Sequence, residues 1–214
     1  MITRLQIDGF KNLLDVDVRF GPFTCIAGAN GVGKSNLFDA ISFLSRLADS
    51  TLNEAASRVR DPEARSGDLR SLFTLVGDER SEVMKFGVEM VVPREATDDL
   101  NLPAEASITL LRYDLHLGFE EGDHVTKSDR LTIRYESLVH LNRGGTNAKR
   151  VLPFLGTSWK RSATWRKDVL LGKRNAPFVS TVDVNGDRLA AKDASRASRI
   201  QRHQDGNQGR PYPF

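Results

Sequence analysis

Eight consecutive residues carry the clearest chemistry in the chain. Gly28-Ala29-Asn30-Gly31-Val32-Gly33-Lys34-Ser35 follow the pattern G-x-x-x-x-G-K-[ST]. Glycines let the backbone approach a phosphate and aim successive N–H groups at it. A helix starting directly after the loop adds partial positive charge at its N-terminus. At this spacing a lysine reaches the β- and γ-phosphates and a serine hydroxyl ligates Mg²⁺. The expected ligand is therefore a nucleoside triphosphate, held with magnesium by Lys34 and Ser35.

Other reactive residues are sparse. The histidines, His116, His124, His140 and His203, stand in no setting that marks a switch, and no zinc spacing is present. Cys25 is the single cysteine, so an intrachain disulfide is excluded. It falls in an apolar run and is expected to be a small core residue.

The loop needs a strand before it and a helix after it. Phe23-Thr24-Cys25-Ile26-Ala27 reads as a buried strand. Leu37, Ile41, Leu44 and Leu47, with Phe38 and Ala48 beside them, have helical spacing over Lys34 to about Asp49. Upstream, residues 1–20 read as a hairpin. Its second arm alternates Leu14, Val16, Val18 and Phe20 with Asp15, Asp17 and Arg19, and Gly21-Pro22 ends it. A second helix is expected over Leu52–Arg60.

Downstream the pattern changes. Strands are expected at 83–92, 106–119, 129–141 and Val179–Val184, the last closed by the hairpin signal Asn185-Gly186. Strands in succession without helices between them mean an antiparallel sheet. Residues 149–173, with Trp159 and Trp165, show no clear period. Beyond Arg188 the chain is rich in Ala, Ser, Arg and Lys, and its last ten residues look irregular.

Of the 214 residues, 39% are hydrophobic and 28% charged, an ordinary globular composition that can bury a sizeable core. A net charge of +3 is too small to indicate a nucleic-acid partner by itself. No stretch of 18 apolar residues is present, and the N-terminus lacks a signal-peptide core, so a cytoplasmic protein with no membrane partner is expected.

The order of parts resembles the SMC/RecF/OLD-type ABC ATPases, often labelled AAA family ATPases in bacteria. The resemblance rests on the turn Gly9-Phe10-Lys11-Asn12 in the first hairpin, on Asn30-Gly31 inside the loop, and on Asn36 directly after Ser35. It is specific over about residues 1–50 and architectural beyond. The resemblance implies an α/β P-loop NTPase fold: an ABC-ATPase-like N-terminal lobe with a mixed core sheet and an antiparallel β-subdomain. The lobe would span 1–188, with the core hairpin, P-loop and helix in 1–70 and the β-subdomain in 71–188. Residues 189–214 would be a polar linker towards a C-terminal lobe.

Carried over position by position, the resemblance implies that Gly28 to Asn36 cradle ATP and that Ser35 holds Mg²⁺. Lys11 and Asn12 would lie near the α-phosphate or base. A glutamine that senses Mg²⁺ and γ-phosphate in that family has its best counterpart in Gln204.

The family's remaining motifs are not found. Leu141-Asn142-Arg143-Gly144-Gly145 follows a strand and reads as a β-turn rather than a signature motif. Phe178–Asp183 comes closest to a Walker B strand, but Val184 stands where glutamate is needed and Asn185-Gly186 makes it a hairpin. Strands without βα alternation argue against a P-loop kinase, and no N/T-K-x-D motif supports a GTPase. Two readings follow. The chain is the ATP-binding half of a longer ATPase acting in DNA repair or anti-phage defence through ATP-dependent head dimerisation, which its abrupt tail favours. Alternatively it is a nucleotide-dependent regulatory module without hydrolysis of its own, completed by a partner chain. The basic run Lys160, Arg161, Arg166, Lys167, Lys173 and Arg174 could contact nucleic-acid phosphates, as could Arg196, Arg199 and Arg202.

Overall fold

The fold is that of a computed structural model, which describes residues 1–59, 68–97, 102–122, 129–141, 170, 172, 175–184 and 187–188. The first hairpin is β1 (Ile2–Asp8) and β2 (Val16–Arg19). Helix α1 covers Lys34–Arg46 and α2 covers Leu52–Ser57. A 3-10 turn, Leu69–Leu72, leads into a small hairpin, β3 (Leu75–Val76) and β4 (Glu79–Arg80). Then come β5 (Val83–Val91), the short pair β6 (Glu95–Thr97) and β7 (Pro103–Glu105), and the long strands β8 (Leu110–Glu120) and β9 (Arg130–His140). The hairpin of β10 (Val179–Val184) and β11 (Asp187–Arg188) follows.

Seven strands form one sheet in the order β11-β10-β9-β8-β5-β1-β2. The first hairpin is joined to the later strands directly, because β1 pairs with β5 from Ile2↔Met90 to Asp8↔Lys85. Each pairing in this sheet is antiparallel among the described residues. The mixed core sheet implied by the resemblance is thus not seen there. Antiparallel β10, paired with β9 and turned back into β11, is the hairpin expected from Asn185-Gly186.

The segment 23–27 departs from expectation. It forms no strand, and its side chains lie mostly in solvent, with Phe23 88% exposed. Cys25 is likewise exposed rather than a core residue. An apolar run becomes a buried strand only when neighbours pair with its edges and cover its faces, and no described strand lies against this one. The Gly21-Pro22 break is held locally, by the Gly21 N–H donating to Thr24 Oγ1 at 3.0 Å.

Alternation decides the two faces of the sheet. Leu5 and Ile7 of β1, Met84, Phe86 and Val88 of β5, and Leu115 and Leu117 of β8 form one apolar face. Helix α1 covers it with Leu37, Ala40, Phe43 and Leu47, and α2 adds Ala55 and Ala56. The stripe on α1 is therefore rotated from the one expected: Phe38 is 53% exposed, and Ile41 and Leu44 are half-buried. Helix α1 stops at Arg46, three residues short of expectation, with Leu47 as its C-cap. Helix α2 starts at a capping box, in which the Glu54 N–H donates to Thr51 Oγ1 and the Thr51 N–H to Glu54 Oε2.

The opposite face is polar and cross-linked. Arg4 on β1 bonds Asp17 on β2 and Glu89 on β5, while Arg112 on β8 bonds Glu89, Asp114 and Gln6. Gly87 makes room for this layer: a Cβ there would come 2.9 Å from Arg112 Nη2 and 3.2 Å from Asp114 Oδ1. The pairing of β8 with β9 slips after His116, and Arg134 then lies over Gly118, whose Cβ would meet Arg134 Nε at 2.5 Å. Glycine inside a strand marks such close approaches.

Candidate functional site

The site begins in the turn between β1 and β2, where four consecutive residues make four separate contacts. Gly9 has φ +80°, and a Cβ there would come 2.4 Å from the Val83 carbonyl oxygen, so no larger residue fits. Phe10 is fully buried. Its ring lies 6.2 Å from that of Phe43 on α1 and 5.5 Å from that of Phe86 on β5, which locks turn, helix and sheet together. Lys11 takes a left-handed backbone, φ +51°, and its N–H donates to the Leu72 carbonyl at 2.7 Å.

The Lys11 ammonium donates to Asp39 Oδ2 on α1 at 3.0 Å, with the two side chains only 10% and 8% exposed. A buried charge of either sign is tolerable only with its partner. The pair thus fixes α1 to the turn one helical turn below Ser35.

Asn12 reaches the loop itself. Its Oδ1 accepts from Asn36 Nδ2 at 2.8 Å, and its Nδ2 donates to the Gly31 carbonyl at 3.4 Å. Gly33 lies against the same amide. It has φ +97°, and a Cβ there would come 2.8 Å from Asn12 Oδ1 and 3.1 Å from Leu13 Cδ2. Gly31 has φ +83° with open space around it.

Gly28, Ala29, Asn30, Gly31 and Val32 are all exposed, so the loop backbone is open to solvent. Gly33 is the N-cap of α1, with no side-chain cap and no acidic residue in the first turn. The first N–H groups of a helix have no partner within it, and the first α1 bond runs from the Leu37 N–H to the Gly33 carbonyl. These donors, the positive end of the helix dipole, and Lys34 face the same opening. Lys34 Nζ donates to the carbonyls of Gly28, at 2.6 Å, and Ala29. Ser35 is exposed in the first turn. No cluster of three His, Cys, Asp or Glu able to hold a metal occurs among the described residues. One serine beside a polyphosphate is the sparse donor set that suits Mg²⁺, which keeps most of its waters.

The expected site residues therefore divide. Gly28 through Asn36 come together with Asn12 around one opening. Lys11 is brought to the site but is engaged with Asp39. Gln204, the two tryptophans, the basic runs and residues 142–145 lie outside the described residues. The residue the sequence reading missed is Asp39. Its signal was available: an acid beside Leu37 and Ala40 on the apolar stripe of a helix demands a cationic partner.

Glycine loop, helix N-terminus and lysine define a P-loop NTPase-like N-terminal lobe. Comparison with known proteins narrows the class. Residues 1–91 match the RecF/RecN/SMC N terminal domain. Among curated relatives, the DNA replication and repair protein RecF of Paenarthrobacter aurescens is 32% identical over 90 residues, which is 41% of this chain and 21% of that protein. RecF of Porphyromonas gingivalis is 48% identical over 46 residues, 21% of this chain and 13% of that protein. The OLD nuclease of Thermus scotoductus is 43% identical over 44 residues, 21% of this chain and 8% of that protein. The chain thus spans about a fifth, or less, of the length of these relatives.

A solved structure, from work on ATP-driven dimerization and DNA-stimulated activation of SMC ATPases, covers 72% of this chain and 76% of its own at 20% identity. Its TM-score is 0.35. Over residues 1–91 the chain resembles the N-terminal region of the SMC/RecF/OLD-like ABC-type ATPases. No helix among the described residues is long and apolar enough to cross a membrane.

Proposed function

We propose that the chain binds MgATP at Gly28–Asn36 and is the ATP-binding half of an SMC/RecF/OLD-like ATPase. The observation that carries this is the left-handed Gly33 leading straight into an uncapped, acid-free helix N-terminus beside Lys34. Backbone N–H groups of the loop hold the phosphates, Lys34 leaves its own loop carbonyls for the β/γ oxygens, and Ser35 supplies a magnesium ligand. The exposed apolar side chains of Phe23, Val32 and Phe38 support packing against a further lobe or a partner chain. Residues 189–214 would lead towards that lobe, with Gln204 the magnesium-sensing glutamine. The intact ATPase would act in the cytoplasm, in DNA repair or anti-phage defence, through ATP-dependent dimerisation of its heads.

Titration of the chain with a fluorescent ATP analogue, with magnesium and then with EDTA, tests the reading. Lys34→Ala should weaken binding at least about tenfold, the loss of a charge-assisted bond or more, and Ser35→Ala should remove most of the magnesium dependence. Equal binding by wild type and Lys34→Ala would reject the site. Turnover by residues 1–214 alone is expected to be negligible, because the acidic strand and signature motif are not found in the sequence.

A further inference from the structure

We infer that Asn12 is a positioning residue for the phosphate loop rather than a ligand of the nucleotide. The inference rests on the reading of Gly28–Asn36 as a phosphate site and assigns a different role to a residue placed beside it. Both ends of the Asn12 amide are engaged by the protein. Oδ1 accepts from Asn36 Nδ2 at 2.8 Å and Nδ2 donates to the Gly31 carbonyl at 3.4 Å. An amide oxygen has two acceptor sites and the amide nitrogen two donors, but the planar group is oriented by these two bonds, and Gly33 lies close against its oxygen.

What this does to the loop follows from the backbone. Gly31 and Gly33 both have φ in the left-handed region, +83° and +97°, where glycine has many accessible alternatives. Around Gly31 a Cβ would meet nothing within 4 Å, so packing does not choose its conformation. The bond from Asn12 to the Gly31 carbonyl fixes that peptide plane, and with it the direction of the next N–H. The bond to Asn36 fixes the same amide to the first turn of α1. Asn12 thereby ties the two halves of the loop to one reference point, the turn that Phe10 anchors in the core. An anion site made of backbone N–H groups binds well only when those groups are already aimed, since ordering them on binding subtracts from affinity.

Two measurements on the full chain test this. In hydrogen exchange without nucleotide, Asn12→Ala should speed exchange of the amides of residues 30–35 while leaving those of β5 and β8 unchanged. In binding of a fluorescent ATP analogue, Asn12→Ala and Asn36→Ala should each weaken affinity about tenfold, and the double variant should be scarcely weaker than either single one, the non-additivity of residues that act through one bond. Asn12 is exposed, so its loss should not unfold the chain, and Asn36→Ala removes the same bond from the helix side should the first variant fail. Unchanged loop exchange in both single variants, or losses that add in the double one, would overturn the inference. If wild type and Lys34→Ala bind alike, the phosphate-site reading fails, and the exchange experiment still decides whether Asn12 orders the loop.

Discussion

Phe10 offers the sharpest test of how the site is held. Its ring is fully buried between Phe43 and Phe86, at centroid distances of 6.2 and 5.5 Å. Phe10→Ala removes the ring that packs the turn against both helix and sheet. Truncating a buried phenylalanine costs about 3–5 kcal/mol, a large part of the roughly 5–15 kcal/mol that stabilises a domain. For a chain of this size that is a fall in melting temperature on the order of 10 °C. Thermal and urea unfolding followed by far-UV circular dichroism would measure it. Leu14→Ala is the internal control: Leu14 is 47% exposed, so its loss should lie within about 0.5 kcal/mol of wild type. If Phe10→Ala cost no more than Leu14→Ala, the turn would not be anchored through its ring, and the account of the site as a turn clamped to a helix would fail.

Removing one member of the buried Lys11–Asp39 pair, by Lys11→Met, should cost about 3–5 kcal/mol in chemical unfolding, while Lys11→Met with Asp39→Leu should recover most of that loss. Gly33→Ala should lower nucleotide affinity more than about tenfold in equilibrium titration, because φ +97° and the 2.8 Å approach to Asn12 both forbid a Cβ. Two groups predict acid sensitivity. The bond from Arg4 holds the Asp17 carboxyl below the ordinary carboxylate range, against some opposing burial. Burial, helped by Lys85, holds His116 below its ordinary 6.5. Both folded-state values are depressed, so each contribution is present above the unfolded-state value and is lost as pH falls through the folded one. Stability should therefore decline below about pH 6.5 and again below about pH 4. His116→Gln should flatten the first decline and Asp17→Asn the second in unfolding measured against pH, the Asp17 effect being small because that side chain is 42% exposed.

Local pattern made much of this legible. The hairpin, α1 and the long strands each carry their own period, and the glycine loop is a contiguous string whose spacing states its chemistry. What the sequence hid were relations between distant residues. Lys11 and Asp39 stand 28 positions apart, so a lysine that resembles a nucleotide ligand is in fact engaged by an acid on the helix below. The run 23–27 shows the opposite failure. Its composition is that of a buried strand, but burial is a property of neighbours, and no described strand supplies them. Gly87 and Gly118 likewise depend on distant residues, because Arg112 and Arg134 lie across them.

The pairing of β1 with β5 has a consequence for assembly. Strand β1 is interior to the sheet, yet one of its two neighbours ends 90 residues later, where the Met1 amino group donates to the Val91 carbonyl. Helix α1 lies between them in the chain and rests on a surface to which both strands contribute, with β8 extending it. Loops of this length close slowly. On a ribosome the phosphate loop would emerge well before there is a sheet to hold it, and it would stay unaimed until β5 is made. The stretch shared with the RecF/RecN/SMC domain, residues 1–91, ends where that closure becomes available. Chains terminated before and after Val91 should therefore differ abruptly, the shorter ones gaining little protection from proteolysis and the longer ones beginning to resist it.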